Sequence, residues 1–176
     1  YQAYNLVLSA EPNASFPALD LFWSANNRVG DSSCSADRAS IATGVICTTF
    51  FLPPVANPAA SRPDAGIYVL GSANDDSDEF DRHVIAHEWG HYYQASFSRD
   101  DSNPAVGSAS IGWYSESSVQ SLLWDFFDAG ADGIDSIALG FEPVHRTMST
   151  ELRTGPAFST IYPFVEGLRA RVPAAD

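Results

Sequence analysis

The residues of this chain with the clearest chemical potential are His87, Glu88 and His91, which form the pattern H-E-x-x-H. On a helix, residues four apart share one face, so both imidazoles can reach a single metal ion at about 2.0–2.1 Å. Zinc lowers the pKa of a bound water to about 7, and Glu88 would take its proton and pass it to a leaving amine. The pattern predicts zinc held by His87 and His91, with Glu88 as general base.

This chemistry requires a helix, and the residues before the motif predict one. Asp76 is the expected N-cap, and Glu79 three places later is its capping-box partner. Apolar residues then recur at helical spacing: Phe80, Val84 and Ile85. We therefore predict a helix near residues 77–97. The alternative is a helix whose histidines only pack or face solvent, because roughly a few per cent of chains this long contain the pattern by chance.

A zinc peptidase needs a third protein ligand, and the sequence leaves its identity open. His83 shares the predicted face, but eight residues of helix rise about 12 Å, which is too far for His83 and His91 to bind one ion. Glu116 is the best candidate, although a carboxylate there can instead interact with the helix dipole. Two alternatives remain, namely a ligand in a segment that this chain lacks and a non-catalytic site of two histidines.

The remaining elements follow from hydrophobic patterning. Residues 43–52 are rich in β-branched and aromatic side chains, and residues 66–71 are a short apolar run between glycines, so both predict strands. Residues 115–128 and 157–171 have apolar faces at helical spacing and predict helices. Strands followed by helices predict an α+β class. We expect a single domain over residues 1–176, with a strand-rich part at 1–76 and a helical part at 77–176.

Composition restricts the partners of the chain. A net charge of −13, with every basic residue an arginine, repels nucleic acid and anionic membranes. No apolar run approaches the roughly 20 residues that span a bilayer. The sequence begins at Tyr1 rather than Met, which is compatible with a processed, exported protein or with a shortened chain. We expect a peptide or protein substrate, no nucleic acid and no membrane span.

The two cysteines, Cys34 and Cys47, lie in loop-like sequence. In an oxidising compartment they can form one disulfide, and the alternative is two free thiols. We predict the disulfide, which would close a loop leading into the first predicted strand.

The motif stretch HEWGHYYQ resembles the zincin metallopeptidases, and among them the gluzincins, in which a glutamate on a later helix completes the site. The wider pattern resembles an exported bacterial family, through residues 16–27, 67–102, 112–128 and 157–164. The resemblance implies a zincin-like α+β fold with a short N-terminal sheet packed on the active-site helix, and an extended substrate along a sheet edge. Related proteins carry an additional segment with a ligand glutamate, where this chain has only residues 103–111.

The expected function is therefore zinc-dependent hydrolysis of peptide bonds, by an endopeptidase that is secreted, periplasmic or in the cell envelope. His145 and Tyr114 can each donate a hydrogen bond to a developing oxyanion, although structural packing explains them equally well. A zinc-binding domain without turnover and another zinc hydrolase, such as an esterase, are the competing functions. The sequence does not determine oligomeric state or cleavage specificity.

Overall fold

The computed structural model describes residues 2–31, 34, 36–99, 112, 115–128, 137–156 and 160–172, and only the backbone of residues 116 and 117. Over this part of the chain it contains six α-helices and one small mixed sheet of three strands, which confirms the α+β class. In chain order the elements are α1 (Gln2–Ala10), β1 (Leu21–Trp23), α2 (Arg38–Ala42), β2 (Phe50–Leu52), β3 (Gly66–Val69), α3 (Arg82–Phe97), α4 (Glu116–Phe127), α5 (Phe141–Thr147), a π-helical turn (Met148–Leu152) and α6 (Tyr162–Arg169).

The chain groups into two compact units, which we call the sheet unit and the helical unit. The sheet unit is Phe16–Ser96, and the helical unit combines Tyr1–Ser15 with Phe97–Asp176. No helix within the described residues is long and apolar enough to cross a membrane.

The sheet unit is organised around β3, which lies between the other two strands and is buried along its whole length. β1 runs parallel to β3, and β2 runs antiparallel to it. Tyr68 is paired in register with Phe22 on one side and Phe50 on the other, and its ring stacks on theirs at centroid distances of 4.6 and 5.0 Å. Cross-strand aromatic pairs of this kind stabilise a sheet, and together with buried Ile46 and Leu70 they form its core.

The strand predictions are confirmed in part. Only Phe50–Leu52 of predicted residues 43–52 is a strand, because Cys47 has a φ of 67°, a left-handed conformation that ends regular extension. β3 ends at Val69, and Gly71 then forms an isolated bridge to Ser77. β1 and α2 were not predicted, since β1 has only three residues and α2 only five.

The predicted start of α3 is wrong. The helix begins at Arg82, and its cap is Asp81, whose Oδ1 accepts the main-chain N–H groups of His83 and Val84 at 2.8 and 3.2 Å. The residues expected to open the helix instead extend the sheet: the N–H of Asp78 donates to the Leu70 carbonyl, and its carboxylate accepts the Thr49 hydroxyl. Phe80 consequently does not face the core, and 88% of it is exposed.

The helical unit contains α1, α4, α5, the π-helical turn and α6. Its core is built on Val144, Phe164 and Leu168. The helix predicted at 115–128 is confirmed as Glu116–Phe127, with Ser115 as its N-cap residue. The helix predicted at 157–171 is confirmed only for Tyr162–Arg169, and residues 157–159 lie outside the described chain. Neither α1 nor α5 was predicted.

The predicted disulfide is confirmed. Cys34 and Cys47 are bonded, with their Cα atoms 5.8 Å apart. The bridge closes a loop within the sheet unit that ends three residues before β2. It therefore restrains the segment from which β2 emerges.

Candidate functional site

All three motif residues lie on α3, and the helix gives them their relation to one another. His87 and His91 are one turn apart, so their side chains leave the same face. Nothing in the intervening Trp89 and Gly90 interrupts the helix. The predicted helical context of the motif is therefore present.

The two imidazoles converge on one point. Their Nε2 atoms are 3.1 Å apart, and their ring planes are nearly perpendicular, at 84°. Two ligands of one tetrahedral zinc, each about 2.0–2.1 Å from it, lie about 3.3–3.4 Å apart, so a shift of a few tenths of an ångström fits the pair to the ion. Without a metal, the same distance permits a hydrogen bond between the rings. His87 is exposed and His91 half-buried, which leaves the pair accessible from solvent.

Glu88 follows His87 on α3, and its side chain has a different environment. Its side chain is buried, with 7% of the residue exposed. Oε2 accepts a hydrogen bond from the main-chain N–H of Phe51 on β2, at 2.7 Å. A buried carboxylate requires such donors, because losing its hydration without them is costly. The helix α3 therefore carries one carboxylate that is shielded from bulk water and two imidazoles that converge.

Aromatic packing fixes α3 against the sheet in this region. The ring of Phe51 meets that of Tyr92 edge to face at 6.1 Å, and the ring of Trp89 stacks on that of Tyr93 at 5.9 Å. The Tyr92 hydroxyl donates to the Pro17 carbonyl at 2.6 Å. Burial raises the pKa of Tyr92 above its ordinary value of 10.0, so this phenol stays protonated at neutral pH. Tyr92 is thus a structural hydrogen-bond donor.

The described residues do not complete a metal site. Among them, no group of three or more His, Cys, Asp or Glu side chains is arranged to hold an ion. Glu116 is the first residue of α4, but its side chain lies outside the described chain, as do residues 103–111 and Tyr114. The predicted third ligand therefore stays a prediction.

The other two histidines considered from the sequence have separate environments. His83 is exposed in the first turn of α3. His145 is fully buried in the helical unit, and its Nε2 lies 2.9 Å from Oε2 of Glu11. That contact accounts for its burial as part of the packing between α1 and α5. A role toward an oxyanion stays a prediction.

An open cavity of about 330 Å³ in the sheet unit is lined by Phe22, Tyr68 and Arg38, among others, and by no residue of the motif.

Sequence reasoning missed one group that contacts the motif, the main-chain N–H of Phe51. Its strand was predicted, but which side chain a strand N–H meets depends on how the sheet packs on the helix. No local signal encodes that contact.

Comparisons with known proteins give no further assignment: no family model matches this chain, and neither the curated proteins nor the solved structures include a match.

Proposed function

We propose that this protein is a zinc-dependent metallopeptidase of the zincin type. The observation that carries the proposal is the convergence of the His87 and His91 Nε2 atoms, 3.1 Å apart, on the helix that also carries the buried Glu88. Two imidazoles are common ligands of zinc in hydrolases, and the separation of these two nitrogens fits one tetrahedral ion. The zincin-like fold and an exported location belong to the same proposal, on the strength of the resemblance.

Each residue has a defined role in this reaction. His87 and His91 would hold the metal, and Glu116 is the proposed third ligand. When bound, zinc supplies the Lewis acidity that allows a water to lose a proton near neutral pH. Glu88 accepts that proton as the water oxygen adds to the peptide carbonyl carbon. As the C–N bond breaks, Glu88 returns the proton to the departing amine nitrogen.

Two features of the site support the assignment of Glu88 as the base. Its carboxylate is largely shielded from bulk water, and in such an environment electrostatic interactions with a reacting group are strong. The hydrogen bond from Phe51 also restricts its orientation, so the carboxylate is fixed before substrate arrives. The negative charge of the whole chain argues against nucleic acid as the substrate.

The test compares zinc-loaded wild type with Glu88→Gln, using fluorescein-labelled casein as the probe. We expect wild type to release labelled peptides, to lose this activity to a chelator, and to recover it with zinc. Glu88→Gln should bind zinc normally but lose activity by at least about 1,000-fold, because the amide cannot accept the proton.

Asp76→Asn is the matched control, since it also neutralises one carboxylate, at an exposed position before α3. It should hydrolyse casein at the wild-type rate. Full activity in Glu88→Gln would refute the role of the base. Zinc binding without hydrolysis of casein by wild type would instead indicate a non-catalytic domain, and hydrolysis of ester probes alone would indicate an esterase.

A further inference from the structure

The strand β2 presents one main-chain donor to the proposed active site. Phe51 is paired in register with Ile67 of β3, yet its N–H is bonded to Glu88. Hydrogen-bonding groups of alternate residues along a strand point to opposite sides. The N–H of Phe51 therefore faces away from β3, at the edge of the sheet.

Two contacts from this one residue reach α3. The N–H binds Oε2 of Glu88 at 2.7 Å, and the phenyl ring packs on Tyr92, one helical turn further along. A main-chain N–H moves only with its strand, and this strand is held by pairing with the buried β3. The donor is therefore more rigid than a side chain with its own rotatable bonds.

We propose that Phe51 is a positioning residue, whose main-chain N–H fixes the Glu88 carboxylate in the orientation that proton transfer requires. The proposal rests on the proposed function for the role of Glu88 as base. A hydrogen bond to an ionised acceptor is stronger than one between neutral groups, so it restricts rotation of the carboxylate effectively. A base displaced by about 1 Å can lose about 100-fold in rate.

The same bond limits how a substrate uses this edge of the sheet. A peptide that adds to a strand edge needs free N–H donors at every second residue. The N–H of Phe51 is already bonded to Glu88. Pro53 has no N–H, and its carbonyl accepts a hydrogen bond from Arg62 at 2.6 Å. A substrate strand along this edge would therefore find no available N–H at Phe51 or at Pro53, which follows β2, so the sheet-edge binding that the resemblance implies would need other donors.

The kinetic test compares Phe51→Pro with Phe51→Ala, again on labelled casein. Proline removes the N–H, which strands tolerate where that group points away from the neighbouring strand. Alanine keeps the N–H and removes only the ring. We expect kcat of Phe51→Pro to be at least about tenfold below that of Phe51→Ala, with similar KM and equal zinc content, because orientation of the base affects the chemical step alone. Equal kcat values in the two variants would overturn the proposal.

Amide hydrogen exchange tests the contact without relying on activity or on the folding of Phe51→Pro. In Glu88→Ala the amide of Phe51 loses its acceptor and should exchange at least about tenfold faster than in wild type. Glu88→Gln retains an acceptor oxygen and should show a smaller increase. An unchanged rate in Glu88→Ala overturns the proposal. If zinc-loaded wild type cleaves no casein, the proposed function fails, and this exchange rate still decides whether Phe51 holds Glu88.

Discussion

The sheet unit and the helical unit each bury an ionisable side chain, and they do so in different ways. In the sheet unit, the buried carboxylate of Glu88 is held by a main-chain N–H, and the same helix carries two convergent imidazoles. In the helical unit, the buried imidazole of His145 pairs with Glu11 and lies near the rings of Phe97 and Phe141. In the first arrangement the imidazoles belong to an exposed and a half-buried residue, whereas the second contributes to the packing of α1 on α5. A buried ionisable group thus indicates chemistry only when its neighbours can also take part in a reaction.

The comparison predicts that the two units depend on different stabilising contacts, and the largest effect concerns the disulfide. Replacing Cys34 and Cys47 together by serine removes a bridge that spans 13 residues of sequence. The loss in the free energy of unfolding should be about 3 kcal/mol in the chain-entropy model. Hydrogen exchange measured unit by unit checks the location, and β3 should lose more protection than α6. Equal losses of hydrogen-exchange protection in β3 and in α6 would show that the bridge does not stabilise the sheet unit in particular.

The equivalent change in the helical unit is Glu11→Ala. It leaves the buried His145 without this acceptor, and it also removes the carboxylate that lies 3.9 Å from Arg146. We expect a loss of about 1–3 kcal/mol in the free energy of unfolding, measured by urea denaturation. Glu166→Ala is the control, because Glu166 forms an exposed ion pair with Arg169 and should contribute less than about 0.5 kcal/mol. Similar losses for the two variants would contradict a structural role for the contact between Glu11 and the buried His145.

A smaller effect is expected at the start of α3. Asp81→Ala removes the acceptor for two main-chain N–H groups and should cost about 1 kcal/mol, as observed for N-cap residues in general. Asp76→Ala, at the position that the sequence favoured as the cap, should change stability by less than about 0.5 kcal/mol. Thermal unfolding of both variants decides between the two residues. A larger loss for Asp76→Ala would restore the sequence-based helix start.

Sequence reasoning succeeded where the determining interactions are local. The spacing of His87 and His91 is sufficient to place them on one helical face, and the pattern around Glu116–Phe127 identifies α4 closely. It failed where contacts between distant residues determine where an element begins. Ser77 and Asp78 are residues at which a helix could begin. Instead they bond to Gly71 and Leu70 at the end of the sheet, and α3 begins only at Arg82.

The contacts that hold the two buried ionisable side chains, Glu88 and His145, are also long-range in sequence. Phe51 and Glu88 are separated by 37 residues, and His145 and Glu11 by 134. No periodicity or capping signal connects residues so far apart. The motif could therefore be predicted, whereas the group that orients its carboxylate could not.

The most direct measurement is the affinity for zinc of wild type, His87→Ala, His91→Ala and His83→Ala, each determined by competition with a chromogenic chelator. His83 is the matched control, because it is an exposed histidine on the same helix. We predict about one zinc per chain in wild type and in His83→Ala. His87→Ala and His91→Ala should each weaken binding by more than about 100-fold, since even groups that only support metal ligands contribute about 10–100-fold. Unchanged affinity in His87→Ala and His91→Ala, or no zinc binding by wild type, would contradict the proposed metal site.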